Sequence, residues 1–354
     1  VANEPKQASG DKSKNGLLCK VCKKYYLYPA NKKGKKLGTY WRVGSTITTV
    51  FVKSNAKKYT GTWKIRYKST IKLSYPVSYK ITKIIFLTKK GKNSVDTIGK
   101  NAIDSTVKSV KNFNKTKVKT IGENAFGSTK ITKLAFPKTL TKMGKNAFRK
   151  TSKLKTVTGL EKTKLKSVPA YAFAESGITS IYLPSTVTSI GENAFRQDKA
   201  LKTVKGLGST KVTSIGKYAF EETGITSLAL PATLKSIGNE AFAMMPYLKT
   251  VSGLEKTKLT TISDYAFAES PLIESLSLPT TCTSIGYGAF MECSSLKTLT
   301  LNANCIVSGS SSMLSQSGIA NISSGVAIKV PNSLMSSYRT TYPWSNYSSK
   351  IAAI

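Results

Sequence analysis

Apolar and polar positions along the chain form a block that returns every 22–25 residues. The dipeptide Ala-Phe marks each block, with one apolar residue five positions before the Phe and two apolar residues, three apart, after it. The phenylalanines are Phe126, Phe148, Phe173, Phe195, Phe220, Phe242, Phe267 and Phe290, at intervals of 22, 25, 22, 25, 22, 25 and 23 residues. A fixed period of this length predicts a repeat solenoid in which each block is one coil.

Each block reads L-x-x-[VIL]-x-[LG], then a turn with Pro or Gly, then T-x-[IV]-G-x-x-A-F. The first segment predicts a short strand with inward apolar residues, and Leu-Pro ends it because proline has no N–H to donate. The glycine in Ile190-Gly191 allows a second turn, and x-x-A-F is expected to form one helical or 3-10 turn. A single coil cannot bury its apolar side chains, so the phenylalanines should stack in an internal column.

The copies TSIGENAF, TSIGKYAF, KSIGNEAF and TSIGYGAFMECSSLKTLTL resemble the BspA-type leucine-rich repeats of bacterial cell-surface proteins. The segment from Val326 through Tyr338 and Trp344 resembles the C-terminal capping segment of that family. The resemblance covers residues 96–354 and implies a leucine-rich-repeat solenoid on the cell surface that adheres to host or neighbouring-cell molecules. One departure is a 47-residue double repeat, because every second coil replaces the Leu-Pro turn with Gly-Leu-x-x-Thr-Lys.

The predicted organisation has four parts. We expect a flexible tail at 1–15, a basic β-rich N-terminal cap at 16–95, a solenoid of nine to ten coils at 96–325 and a C-terminal cap at 326–354. A separate small β domain is the alternative for the N-terminal region. The chain starts at Val1, as expected for a mature or trimmed N-terminus. No apolar run approaches the length of a membrane-spanning helix, so no membrane span is expected.

Histidine is absent from the sequence, which removes the usual catalytic bases and metal ligands. Without it there is no Ser-His-Asp triad, no Cys-His dyad and no HExxH zinc motif. The carboxylate pair Glu221-Glu222 is interpreted as a solvated face. We therefore expect a protein that is not an enzyme, with no catalytic residue, no metal site and no cofactor.

The five cysteines have different interpretations. Cys282 and Cys293 fall at apolar or small positions of the repeat and are expected in the core. Cys305 lies beyond the last clear copy, and its environment stays open. Cys19-x-x-Cys22 lacks the second ligand pair of a zinc site, which favours a disulfide loop or two free thiols.

Lysine dominates the charge, and the formal net charge is +38. Lys and Arg outnumber Asp and Glu by 23 to 2 in residues 1–95, by 24 to 9 in 96–234 and by 8 to 6 in 235–354. This gradient favours attraction to polyanions at the N-terminal end, while a merely solvated lysine-rich surface remains the alternative.

A lysine follows the first apolar residue of the strand on every second coil, which predicts a ladder on one face. The candidate ligand-binding residues are Lys133, Lys155, Tyr182, Lys202, Lys205 and Lys249. We predict a non-enzymatic, surface-displayed binding or adhesion protein, extracellular or on the cell surface, whose partner is an extracellular protein, an acidic glycan or a wall polymer. One alternative is a structural cell-envelope protein held on anionic wall polymer. A nucleic-acid partner is disfavoured because nothing resembles a groove-reading helix or an RNA-recognition motif.

Overall fold

The computed structural model describes residues 16–18, 25–27, 40–41, 60–65, 80–86, 96–103, 105–307, 326–341 and 344–354. Contacts divide the chain into two compact units, unit 1 at Val1–Thr163 and unit 2 at Lys164–Ile354. The predicted flexible tail at 1–15 lies outside the described residues, as does most of the predicted N-terminal cap. The cap therefore stays a prediction.

Five short strands are described before the repeats of unit 1. The strands Gly16–Leu18, Tyr25–Leu27 and Tyr40–Trp41 form an antiparallel sheet. The strands Thr60–Ile65 and Lys80–Phe86 pair in parallel, and the second of them also pairs with Ser109–Lys111.

Each repeat coil carries two strands on different sides, here named A-strands and B-strands. The three-residue A-strands are Ser109–Lys111, Lys133–Ala135 and Thr156–Thr158 in unit 1, and Ser180–Tyr182, Thr203–Lys205, Ser227–Ala229, Thr250–Ser252, Ser275–Ser277 and Thr298–Thr300 in unit 2. The two-residue B-strands are Thr97–Ile98, Thr120–Ile121 and Lys142–Met143 in unit 1, and Ser167–Val168, Ser189–Ile190, Ser214–Ile215, Ser236–Ile237, Thr261–Ile262, Ser284–Ile285 and Ile306–Val307 in unit 2.

Equivalent strands of successive coils pair in parallel and in register. Along the B-strands of unit 2, Ile190 lies opposite Ile215, which lies opposite Ile237. On the A side of unit 1, Leu134 lies opposite Val157. Since side chains alternate across a strand, this register turns one residue of each strand inward and leaves its neighbours outside.

The phenylalanines form the predicted internal column within each unit. Phe126 and Phe148 of unit 1 stack with ring centroids 4.9 Å apart. In unit 2 the centroid distances from Phe173 to Phe195, Phe220, Phe242, Phe267 and Phe290 are successively 5.6, 5.1, 5.6, 5.2 and 6.0 Å. All eight rings are buried, so the prediction of a stacked core is confirmed.

The Ala-Phe segments differ from the sequence prediction. They form turns in which residues on both sides of Ala-Phe adopt positive φ, such as Asn193 (φ 54°) and Gln197 (φ 59°). A left-handed residue cannot continue a helical turn, so the expected helical turn at Ala-Phe is wrong. The 3-10 helices lie instead in the Gly-Leu-x-x-Thr segments, at Phe113–Lys115 (where Asn112 replaces Gly), Leu160–Lys162, Leu207–Ser209 and Leu254–Lys256.

The glycine of the T-x-[IV]-G motif is required by close approach between coils. A Cβ placed on Gly191 would lie 2.5 Å from the backbone nitrogen of Ala170. The amide of Gly191 also donates to the carbonyl of Val168 in the preceding coil, at 2.7 Å. A side chain at Gly191 would force this backbone apart, although Pro169 and Ser263 hold the equivalent position in two other coils.

The C-terminal segment extends the A-strand sheet of unit 2. Strand Ala327–Val330 pairs in parallel with Thr298–Thr300, and Ile351–Ala353 pairs in parallel with Ala327–Val330. Between them lie the 3-10 helix Asn332–Leu334, the α-helix Met335–Thr340 and the 3-10 segment Trp344–Lys350. The buried hydroxyl of Tyr338 accepts from the Cys305 amide at 2.7 Å, and Trp344 Nε1 donates to the Cys305 carbonyl at 2.9 Å.

Candidate binding faces

Tyr182 and Lys205 lie opposite each other at the ends of two paired A-strands in unit 2. Both flank a buried or half-buried central residue and therefore point outward. The Tyr182 ring lies over Gly206, where a Cβ would come within 2.6 Å of the ring atom Cε2. Half of the Tyr182 side chain is exposed (50%), which makes it one of the few exposed large hydrophobic residues among those described.

Lys202 and Lys249 lie on the same face, immediately before their A-strands. The Thr226 amide donates to the Lys202 carbonyl at 3.4 Å, and the Lys249 amide donates to the Thr226 carbonyl at 2.9 Å. These contacts place the two lysines in one row, two coils apart. Both are exposed, and neither has an ion pair within the described part of the chain. We name the surface of Tyr182, Lys202, Lys205 and Lys249 the A-face.

Lys133 and Lys155 occupy the corresponding side of unit 1. Lys133 begins an A-strand and lies opposite Thr156, while the Lys155 amide donates to the Thr132 carbonyl at 2.9 Å. Both side chains are exposed. The two residues therefore sit at neighbouring strand starts.

The repeats themselves show that Tyr182 and Lys205 are unusual. The third A-strand position holds small or short polar residues in the other full coils from 133 onward. These are Ala135, Thr158, Ala229, Ser252, Ser277 and Thr300. Because this position is outside the core, packing does not require a large residue there, and the departure at two adjacent coils makes Tyr182 and Lys205 candidates for contact with a ligand.

Sequence reasoning missed a second lysine surface, beside the B-strands. Lys211, Lys235 and Lys258 precede B-strands of unit 2 by one to three residues and are exposed. Lys119 and Lys142 have similar places in unit 1. The signal was present, because each lysine lies within the segment aligned with T-x-[IV]-G or two residues before it, but it was not separated from the A-strand lysines. We name Lys211, Lys235 and Lys258 the B-face.

The Ala-Phe edge of unit 2 is acidic, and here the interpretation of Glu221-Glu222 as a solvated face is wrong. Glu221 is buried, with a 5% exposed side chain that accepts a hydrogen bond from Arg196 Nε. Burial raises the pKa of Glu221, while the hydrogen bond from Arg196 opposes that rise. Glu222 is half-buried and pairs with Lys199 at 3.2 Å, and a hydrogen bond from Gln197 lowers its pKa. Other carboxylates of this edge are Glu175, Glu192, Glu240, Asp264, Glu269 and Glu292.

The three described cysteines are buried free thiols. Cys282 and Cys293 are fully buried, which confirms their predicted place in the core. Cys305 is buried too, and its thiol donates to the Cys282 carbonyl at 2.9 Å. Burial raises the pKa of Cys293 to about 12. Cys19 and Cys22 lie outside the described residues.

No helix in the described part of the chain is long and apolar enough to cross a membrane. Within the same residues, no group of three or more Cys, Asp or Glu side chains is placed to hold a metal ion.

Coils of this length, with parallel strands on two sides and a stacked phenylalanine core, define a leucine-rich-repeat protein. A model of the BspA type leucine-rich repeat region matches residues 77–206 and 213–336. The chain therefore belongs to the BspA-type leucine-rich-repeat family. A search of curated proteins found no match.

Two similar solved structures are leucine-rich proteins of bacteria, and a third is a pneumococcal antigen. A leucine-rich cell surface protein of Faecalibacterium prausnitzii is 18% identical, with 90% of this chain and 99% of that chain covered and a TM-score of 0.43. A leucine-rich repeat protein of Bacteroides ovatus is 16% identical, with 93% and 98% covered and a TM-score of 0.44. The pneumococcal vaccine antigen PcpA is 17% identical, with 99% and 98% covered and a TM-score of 0.45.

Proposed function

We propose that this chain is a non-enzymatic, surface-displayed binding protein whose A-face docks an acidic extracellular protein or glycan. The observation that carries the proposal is the pairing of exposed Tyr182 with Lys205 in a row whose other positions between 135 and 300 hold small or short polar residues. The proposed localisation is extracellular or on the cell surface. Membership of a family of surface-displayed repeat proteins supports a binding role rather than catalysis.

The chemistry of the A-face suits an acidic partner with some apolar surface. Tyr182 offers a flat ring for a sugar or an apolar side chain, with a hydroxyl at its outer end. Lys202 and Lys205 lie in the next coil and Lys249 lies two coils further on, and none of the three has an ion pair among the described residues. Lysine is a flexible point charge, so it favours diffuse attraction to carboxylates or sulfates over bidentate recognition.

The charge of the whole chain supports the same class of partner. At +38 the protein attracts polyanions from a distance, and attraction of this kind raises association rates. At physiological salt the field reaches only about 8 Å, so the residues in contact decide which surface is occupied. The charge brings an acidic partner near, and the A-face holds it.

A binding screen tests the ligand class. The labelled full chain is probed at physiological salt against acidic glycans, neutral glycans and extracellular proteins, beside the double variant Tyr182→Ser/Lys205→Ser. A matched control, Tyr247→Ser/Lys235→Ser, removes an equally exposed tyrosine and lysine elsewhere in unit 2.

We expect acidic members of the array to bind the parent and the control, and the A-face variant to lose about tenfold in affinity. Binding to neutral glycans alone, or equal loss in both variants, would contradict the proposal. Both variants change only exposed side chains, so their melting temperatures should stay close to that of the parent.

A further inference from the structure

A recess lined by acidic residues lies on the Ala-Phe edge of unit 2, and its charge is opposite to that of the A-face. It has a volume of about 500 Å³ and is lined by residues of five successive coils. Its lining residues are Lys199, Glu222, Thr223, Gly224, Met244, Pro246, Tyr247, Glu269, Pro271 and Glu292. We name it the acidic groove.

The groove exists because the bends after Phe differ in length. After Phe220, the next large apolar core residue is Ile225, five positions later. In the next coil the equivalent distance, from Phe242 to Leu248, is six positions. The shorter bend recedes between longer neighbours. Gly224 marks this close approach, since a Cβ there would lie 2.4 Å from the Lys199 carbonyl oxygen.

Three carboxylates follow the groove in a single row. Glu222, Glu269 and Glu292 each stand two residues after a phenylalanine and share a positive φ of 52–57°. Backbone bonds connect the row, since the Met244 amide donates to the Ala268 carbonyl at 2.8 Å and the Glu269 amide to the Met291 carbonyl at 2.7 Å. Met244 holds the equivalent position between Glu222 and Glu269, but Glu269 and Glu292 are in adjacent coils, where like charges repel each other, so packing does not explain this pair.

Among the described residues, only the carboxylate at one end of the row has a positively charged partner. Glu222 pairs with Lys199 at 3.2 Å. Glu269 and Glu292 are exposed and have no ion pair among the described residues. The groove therefore keeps two uncompensated negative charges beside its apolar wall.

The apolar wall departs from the repeat pattern at exposed positions. Tyr247 is 57% exposed and Met244 is 38% exposed. The positions equivalent to Tyr247 in the other six-residue bends hold Lys153, Ala200, Ser295 and the half-buried Leu272, so Tyr247 is the only exposed aromatic residue among them. Since the core does not use the Tyr247 ring, its place beside the carboxylates is a feature of the surface.

We propose that the acidic groove docks a lysine- or arginine-rich segment of a partner protein. Glu269 and Glu292 pair with its cationic side chains, and Tyr247 contacts their alkyl stems or takes a cation over its ring. The carboxylates are spread along four coils, and among the described residues no three of them are close enough to hold a metal ion. That spacing suits an extended peptide, and it is independent of the A-face because the partner has the opposite charge.

The test uses the full chain and a fluorescent hexalysine peptide, with its fully acetylated form as the uncharged probe. Fluorescence polarisation is measured at physiological salt for the parent, for Glu269→Gln/Glu292→Gln and for Tyr247→Ser. The matched control is Glu255→Gln/Glu274→Gln, which makes the same change in net charge at exposed positions outside the groove.

We expect hexalysine to bind the parent and the control with equal affinity, and the groove double variant to lose about tenfold. Tyr247→Ser should weaken binding by about threefold. Equal loss in the groove and control variants would assign binding to overall charge and overturn the proposal. Absence of binding to the parent, or equal binding of the acetylated peptide, would overturn it as well.

Discussion

Ser176 and Asp198 are both buried in neighbouring coils of unit 2, and the Ser176 hydroxyl donates a hydrogen bond to Asp198 Oδ2. Asp198 occupies the third position after Phe, where Thr151 and Thr223 donate their hydroxyls to the preceding phenylalanine carbonyl. Burial raises the pKa of Asp198 to about 7, although the hydrogen bond from Ser176 lowers it. An ionised carboxylate at this place therefore opposes folding.

This pair predicts how stability depends on pH. The folded pKa of Asp198 lies above its ordinary value of 3.8, so the folded state holds the proton more tightly. The protonated Asp198 contributes fully to the free energy of unfolding below about pH 4. This contribution, at most about 4 kcal/mol, is lost as pH rises through about 7. Asp198→Thr should remove this loss. Urea unfolding of both proteins at pH 5 and pH 8 measures it, and an unchanged pH dependence in the variant would contradict the assignment.

The phenylalanine column predicts a large cost for Phe195→Ala. Phe195 lies between Phe173 and Phe220, with centroids 5.6 and 5.1 Å away, and its ring is fully buried. The cavity should lower the free energy of unfolding by about 3–5 kcal/mol. Tyr247→Ala, at an exposed aromatic, should change it by less than about 0.5 kcal/mol. Similar values for the two variants would place Phe195 outside the core.

The buried ion pair predicts that Arg196 protects Glu221. Arg196→Met leaves a carboxylate with a 5% exposed side chain without its partner, which should cost about 2 kcal/mol at pH 7. The loss should shrink as pH falls and Glu221 becomes protonated. Lys199→Met is the control, because its partner Glu222 is more exposed, and we expect a change below about 1 kcal/mol. Chemical denaturation that shows no difference between the two variants would refute this role.

The buried thiols predict low reactivity in the native protein. Cys293 has a pKa raised to about 12 by burial. Hydrogen bonding between the Cys282 and Cys305 thiols raises the pKa of Cys305, as burial also does, and lowers the pKa of Cys282. Exposure is negligible at all three. Mass spectrometry after alkylation should find these cysteines modified only when the chain is unfolded, and labelling under native conditions would argue against this packing.

The core could be predicted from sequence because Ala-Phe recurs at an almost constant period. Burial of Phe195, Cys282 and Cys293 followed from their repeat positions alone. The Ala-Phe turn could not be predicted in detail. Its left-handed positions hold Asn193 and Gln197 but also Tyr171 and Tyr218 in other coils, so residue type gave no consistent signal.

The candidate surfaces were harder to predict from the sequence than the core, because they depend on which side of the coil each residue occupies. Tyr182 and Lys205 were named because they neighbour the predicted lysine ladder, and their direct opposition required the register. The acidic groove was missed because Glu222, Glu269 and Glu292 are separated by 47 and 23 residues. Buried Glu221 was misjudged because its partner Arg196 comes from the preceding coil.

Heparin affinity as a function of salt shows whether the A-face is the surface that holds an acidic ligand. Two full-length triple variants lose the same charge on different surfaces, Lys202→Ser/Lys205→Ser/Lys249→Ser on the A-face and Lys211→Ser/Lys235→Ser/Lys258→Ser on the B-face. We expect the A-face variant to bind heparin about tenfold more weakly at physiological salt, with a shallower dependence of log affinity on log salt. The B-face variant should stay within about twofold of the parent. Equal losses in the two variants, or an affinity that does not change with salt, would contradict it.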